Sequence, residues 1–203
     1  MINLVFSLGE SGMIKKVMCI FSICIVCIWG NTYKLDTAHS SINFYVKYLM
    51  LTKVSGGFTN YTGQVDVQNG FISRLTGKIH ADSIDTRNKK RDDHLKSDDF
   101  FNVKEYPSIT FTSQQVATQN NNDVIIIGKL NIHGITNNVS IPFSVTDPII
   151  DSDGKERIGV FGAVRINRKS YGINLSKKMD NGGMVVDDYV DIDLSFQFVK
   201  QEE

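Results

Sequence analysis

The sequence predicts an all-β protein, a closed or nearly closed antiparallel barrel with one short helical segment. Three observations carry this reading. Short segments alternate apolar and polar residues with a period of two, which places one set of side chains on a single face of a strand. Clusters of turn-forming residues separate those segments. Only one stretch, "NKKRDDHLKSDDFF", has helical character. A chain of 203 residues is long enough for one domain with a sizeable core or one large barrel.

The first thirty residues stand apart from this pattern. Lys15 and Lys16 precede an apolar run from Val17 to Trp29, and Gly30 follows it. A basic start and an apolar stretch of this length read as a secretory signal peptide, too short to span a bilayer comfortably. Residues 1–30 are therefore expected to be a leader and residues 31–203 the exported domain. Met13 is separated from the basic pair by Ile14 alone and is the expected start of translation. All three cysteines, Cys19, Cys24 and Cys27, fall in the leader, and neither Cys24 nor Cys27 follows the small residue that a lipidation signal needs. The exported domain then has no cysteine for disulfides, thiolate zinc sites or nucleophilic catalysis.

Lys+Arg and Asp+Glu are both 22. Removing Lys15, Lys16 and Glu10 with the leader leaves one net negative charge. No basic stripe points to nucleic acid, and no block of like charge forms a tail.

The strands follow in order. In "SINFYVKY", Ile42, Phe44, Val46 and Tyr48 alternate with polar or outward residues. "VSGGF" and "QNG" read as turns. Ile109 and Phe111 alternate in "SITFTS". Val124 to Ile127 is apolar on both faces and reads as a central or dimer-facing strand. After the turn "IHGITNN", Val139, Ile141, Phe143 and Val145 share one face. Pro142 within that run predicts an edge strand or an outward, unpaired position there. "DSDGKE" and "DNGG" read as further turns. Val190, Ile192, Leu194, Phe196 and Phe198 alternate in the last strand. Seven or eight strands in one domain, without internal repeats, favour a barrel.

"YKLDTAHSSINF", "VSGGF", "IHADSIDTRNKKRDDHLKSDDFFNVKEYPSITFTS", "GKLNIHGITNNVSIPF" and "RINRKSYGIN" occur in this order. With them the chain resembles the YceI-like family, the periplasmic polyisoprenoid-binding proteins. The resemblance implies an eight-stranded, lipocalin-like antiparallel barrel around an apolar tunnel. It also implies a carrier or sequestering role for an isoprenoid, isoprenoid quinone or fatty-acyl amphiphile. The family is not known for catalysis. Tyr48 in "VKYLML" stands where many members carry histidine, which puts any head-group role of that position in doubt.

The tunnel-lining candidates are Ile42, Phe44, Val46, Ile109, Phe111, Ile141, Phe143, Ile192, Leu194 and Phe196. His39, Arg168 and Tyr171 are candidates for a polar head group at the mouth. No catalytic residue, metal ligand or cofactor is assigned. The expected partners are a long-chain lipid, a second copy of the chain, and a transient membrane or membrane-protein contact.

The alternative is a metal-dependent or hydrolytic enzyme using Asp92, His94 and Asp98. His94 and Asp98 are four residues apart and share a helix face, which is a legitimate half-site. The other histidines lie in separate contexts. The competing reading makes this segment a plug. Its aspartates would cap helical turns and face water, while Leu95, Phe100 and Phe101 point inward.

Overall fold

The computed structural model describes residues 30–120, 122–175 and 185–202. The expected leader, apart from Gly30, and the "DNGG" turn lie outside the described residues.

The strands are β1 (Asn31–Leu35), β2 (Ser41–Tyr48), β3 (Thr52–Phe58), β4 (Tyr61–Gln68), β5 (Phe71–His80) and β6 (Ile84–Asp85). Helix α1 (Lys89–Lys96) follows. Then come β7 (Ser108–Thr118), β8 (Asp123–Ile132), β9 (Ile135–Val145), β10 (Ile149–Ile150), β11 (Glu156–Asn167) and β12 (Val186–Lys200).

Eight antiparallel strands close a ring in the order β1, β4, β5, β7, β8, β9, β11 and β12, with β12 returning to β1. The 15-residue β12 makes closure possible. One edge pairs with β11 from Tyr189 to Val199. The other pairs first with β2 and then, from Phe198 to Lys200, with β1. Strands β2, β3 and β6 extend one wall beyond the ring.

Two junctions of the ring are short: β1 with β12, at three residue pairs, and the seam between β9 and β11. Strand β9 pairs with β8 along its whole length but with β11 only at Phe143, Ser144 and Val145. That ladder stops next to Pro142, which has no N–H to continue it. Tyr171, in the 3₁₀ turn Arg168–Tyr171, and Ile173 pack with Leu130 and Ile132 beside the seam.

The expected "VSGGF" turn is not a turn. Gly56 and Gly57 lie inside β3, where Gly56 is paired with Phe44. A Cβ on Gly56 would overlap the Phe44 ring and sit 2.8 Å from Thr86 Cγ2. The glycines are there to admit a neighbour, not to reverse the chain.

Hairpin turns elsewhere use the residues their geometry demands. Asn69–Gly70 and His133–Gly134 both occupy positive φ, the pattern favoured between twisted strands. The β2–β3 turn differs. Leu49 (φ 52°) and Met50 (φ 60°) are both left-handed, and Leu51 N–H donates to Tyr48 O at 3.1 Å. For side chains of this size that conformation costs roughly 1–2 kcal/mol per residue.

Two apolar clusters fill the ring. One gathers Tyr33, Val65, Leu75, Ile141, Phe143 and Phe198. The other gathers Ile109, Leu130, Ile132, Tyr171 and Ile173, with Phe58, Phe100 and Phe101 packed on it.

Candidate functional site

Two apolar cavities lie inside the barrel, of about 110 and 130 Å³. Ile42, Ile109 and Ile192 border both. The first is also lined by Phe111, Ile141, Phe143, Leu194 and Phe196. The second is also lined by Phe44 and Val46, and its remaining wall includes Phe58, Leu95, Phe100 and Phe101. All ten lining candidates therefore border one cavity or the other. The reason is local. Each sits on the inward side of a two-residue alternation, and closure of the ring turns those sides toward the axis.

Glycine positions shape the walls, and the sequence reading missed this. Phe44, Phe111 and Phe143 each lie against a glycine on a neighbouring strand: Gly56, Gly128 and Gly162. A Cβ on Gly128 would come within 2.6 Å of Phe111 Cζ, and one on Gly162 within 2.5 Å of Phe143 Cδ1. The rings lie back into these notches. The available signal was a glycine inside an otherwise alternating strand.

The three head-group candidates do not come together. Arg168 and Tyr171 line the second cavity and are buried to 5% and 2% exposure. Arg168 Nε donates to Asp187 O at 2.9 Å, and Nη1 donates to Ile173 O at 3.0 Å and Leu175 O at 2.7 Å. Among the described residues its Nη2 has only 3.5 Å contacts, to Val186 O and Asp188 Oδ1. The guanidinium thus clamps backbone on both sides of residues 176–184, and Nη2 is its least engaged donor. Burial lowers the Arg168 pKa from the usual arginine range, opposed by Asp188 and Asp187. Burial raises the Tyr171 phenol pKa. His39 lines neither cavity; its Nδ1 lies 3.0 Å from Asp36 Oδ2 in an exposed 3₁₀ turn.

Nor do Asp92, His94 and Asp98 converge. Asp92 is buried and accepts from the Thr86 N–H at 2.9 Å and from the Thr86 hydroxyl. His94 Nε2 lies 3.0 Å from Asp99 Oδ2, and Asp98 is exposed. Among the described residues no three His, Cys, Asp or Glu side chains gather as a metal site would require. The capping assignment also changes. Asn88 caps α1, accepting from Arg91 N–H at 3.1 Å. Asp98 and Asp99 follow the helix and cap nothing, while Asp92 faces inward because Thr86 offers it two donors. Leu95, Phe100 and Phe101 do pack inward; Phe101 meets Phe58 edge-on with ring centroids 6.2 Å apart.

The opposite end of the barrel is held by charge. Arg157 Nη1 donates to Asp36 Oδ2 at 2.7 Å, and its Nε donates to Asp151 Oδ2. Glu156 accepts from the Tyr33 hydroxyl and from Lys200 Nζ at 3.0 Å. Hydrogen bonds from His39 and Arg157 lower the Asp36 pKa. Arg157 does the same for Asp151, and Tyr33 and Lys200 for Glu156. Burial, reinforced by Glu156, raises the Tyr33 phenol pKa.

The sequence pattern of the YceI-like domain matches residues 33–198. The chain belongs to the YceI-like family. Among its relatives, a UPF0312 protein of Staphylococcus aureus strain N315 is 36% identical over 174 residues, covering 83% of this chain and 97% of the relative. The YceI-like barrel recurs in solved structures. BcnA of Burkholderia cenocepacia aligns with TM-score 0.70 and 24% identity, over 80% of this chain and 98% of BcnA. The YCEI protein of Campylobacter jejuni aligns with TM-score 0.67 and 26% identity, over 77% of this chain and 90% of its own. A polyisoprenoid-binding domain from Saccharophagus degradans, implicated in plant cell wall breakdown, shares the fold at TM-score 0.65 and 17% identity, over 83% of this chain and 98% of that domain.

Proposed function

We propose that this chain is an exported carrier that shelters the apolar chain of an isoprenoid, isoprenoid quinone or fatty-acyl amphiphile inside its barrel. The observation that carries the reading is the pair of adjoining apolar cavities, with Arg168 and Tyr171 as polar groups at one of them. Apolar cavities of this kind stay dry, and one of about 150 Å³ accepts benzene. By that scale the two together hold on the order of a dozen carbon atoms without rearrangement. At about 0.8 kcal/mol per buried methylene, that is roughly 10 kcal/mol before the losses of association. A longer tail needs the phenylalanines on the walls, or the plug carrying Phe100 and Phe101, to move. A head group would find Arg168 Nη2 as its least engaged donor.

The leader motivates the site of action, the periplasm or the medium. The polyisoprenoid-binding domain of S. degradans, alike in fold, agrees with an isoprenoid as cargo. The test is to express the full chain in a host that exports it and purify the protein without detergent. Its organic extract is then analysed by mass spectrometry beside metal analysis and N-terminal sequencing. The expected result is one lipid per chain on a protein cleaved near Gly30. Stoichiometric metal without lipid, or an intact leader on cytoplasmic protein, would overturn the reading.

A further inference from the structure

The β2–β3 turn is left-handed at two large apolar residues, Leu49 and Met50, where two other hairpin turns of the chain, β4–β5 and β8–β9, place Asn-Gly and His-Gly. Leu49 is half-buried, and the rest of the tip is open. Met50 is 71% exposed and Leu51 82% exposed, and Tyr48 beside them is 39% exposed. Strain at exposed apolar residues is an observation that asks for a function.

A second oddity lies one step down the hairpin. Lys47 and Lys53 are direct cross-strand partners, and both are exposed. Like charges facing each other across a ladder are unfavourable. Asp191 lies within the field of both lysines, but its hydrogen bond goes to Arg165, while Asp188 holds Lys169 and Asp187 accepts from Tyr189 N–H. The hairpin therefore carries an apolar tip above a basic collar.

The tip is also fixed in place over the second cavity. Val46 and Val186 line that cavity. Tyr48 pairs with Val186, and Leu49 N–H donates to Val185 O at 2.8 Å. The charged end of the barrel lies at the far end of β11.

We infer that the β2–β3 hairpin docks the barrel on an anionic lipid bilayer, with Leu49, Met50 and Leu51 entering the headgroup region and Lys47 and Lys53 meeting lipid phosphates. An apolar edge with basic flanks is what binds a bilayer interface and distinguishes anionic from neutral lipid. This goes beyond the carrier reading and does not depend on it, because empty vesicles of defined composition test it without cargo.

The experiment measures partition of the exported protein onto vesicles of equal parts phosphatidylglycerol and phosphatidylcholine, with pure phosphatidylcholine as reference. Wild type is expected to favour the anionic vesicles by about 25-fold, about fivefold per lysine, and salt should erase the preference. Grafting the chain's own turn, Leu49→Asn with Met50→Gly, removes the strain, so its melting temperature should equal or exceed that of wild type. Its vesicle partition should fall at least tenfold. Lys47→Gln with Lys53→Gln should abolish the anionic preference alone. Leu51→Trp adds a probe at the tip, whose emission should shift to the blue with vesicles. Undiminished partition of the Asn-Gly variant, an unmoved emission, or wild type that ignores vesicles while the graft converts a dimer to a monomer would each overturn the inference. The last outcome would make the tip a protein contact.

Discussion

Gly162→Ala tests whether the aromatic walls define the space for cargo. The new Cβ would stand 2.5 Å from Phe143 Cδ1 and Cε1 and 3.0 Å from Pro142 O. Ordinary contact begins near 3.4 Å, so the ring must retreat by about 0.9 Å. The open space before it is the 110 Å³ cavity that Phe143 lines. Overpacking a full core costs about 1–3 kcal/mol. Here an empty chamber receives the ring, so the loss of stability should be about 1 kcal/mol. The cargo then loses room for about two carbons, roughly 1.6 kcal/mol or about tenfold in affinity. The assay pairs chemical denaturation with displacement of a fluorescent fatty acid. Adding Phe143→Leu removes the ring and should restore binding. Unchanged affinity in Gly162→Ala, or tight binding with a stability loss above about 3 kcal/mol, would show that the cargo does not touch this wall.

Four further outcomes are expected. Val46→Trp or Ile141→Trp should abolish lipid retention with the circular dichroism spectrum intact; retention in both would place the cargo elsewhere. Phe101→Ala should cost about 3 kcal/mol, the low end for a phenylalanine that is only partly buried, and Asp92→Ala about 1–3 kcal/mol by stranding the donors of Thr86. Asp98→Ala and Asp99→Ala should stay within about 0.5 kcal/mol, and the reverse ranking in urea melts would refute the plug. The depressed carboxyls of Asp36, Asp151 and Glu156 contribute stability that is complete above about pH 5 and lost as pH falls through their folded values. The melting temperature should therefore drop on acidification, and less steeply in Arg157→Met; identical acid profiles would clear this network of the role. Sedimentation should give a dimer that Ile125→Lys dissociates, since Ile125 and Ile127 form the outward face of β8; a wild-type monomer would leave that face to solvent.

The sequence made the ring legible because alternation survives closure. Every residue of "VDIDLSFQF" that was apolar in the period-two pattern faces inward along β12. That the ten candidates border the two cavities follows from the same alternation. What alternation cannot convey is pairing across strands. Gly56 read as a turn because glycine next to glycine usually is one; only the register, Phe44 opposite Gly56, shows that it serves as a notch. Asp92 read as a solvated cap because its partner, Thr86, lies in the preceding segment and reaches it only once α1 has folded back. His39, Arg168 and Tyr171 were grouped by chemical type, which carries no information about which end of the barrel each occupies.

Strand β12 explains why stability and cargo space are hard to separate in this fold. Its inner face supplies Ile192 to both cavities and Leu194, Phe196 and Phe198 to the first. Its two edges close the ring onto β11 and onto β1 with β2. A truncation at Phe198, which is 1% exposed, would therefore enlarge the lumen and loosen the closure at once. The glycine notches act differently, because they set how far a ring intrudes without supplying closure contacts of their own. Gly56 faces side chains and Gly162 mainly the Phe143 ring, with Pro142 O no nearer than 3.0 Å, whereas Gly128 faces Thr112 O at 2.5 Å and would break its wall if substituted. Lumen size is thus tunable at Gly162 and Gly56 but fixed at Gly128, and a series of alanines at the three positions should separate binding from folding in that order.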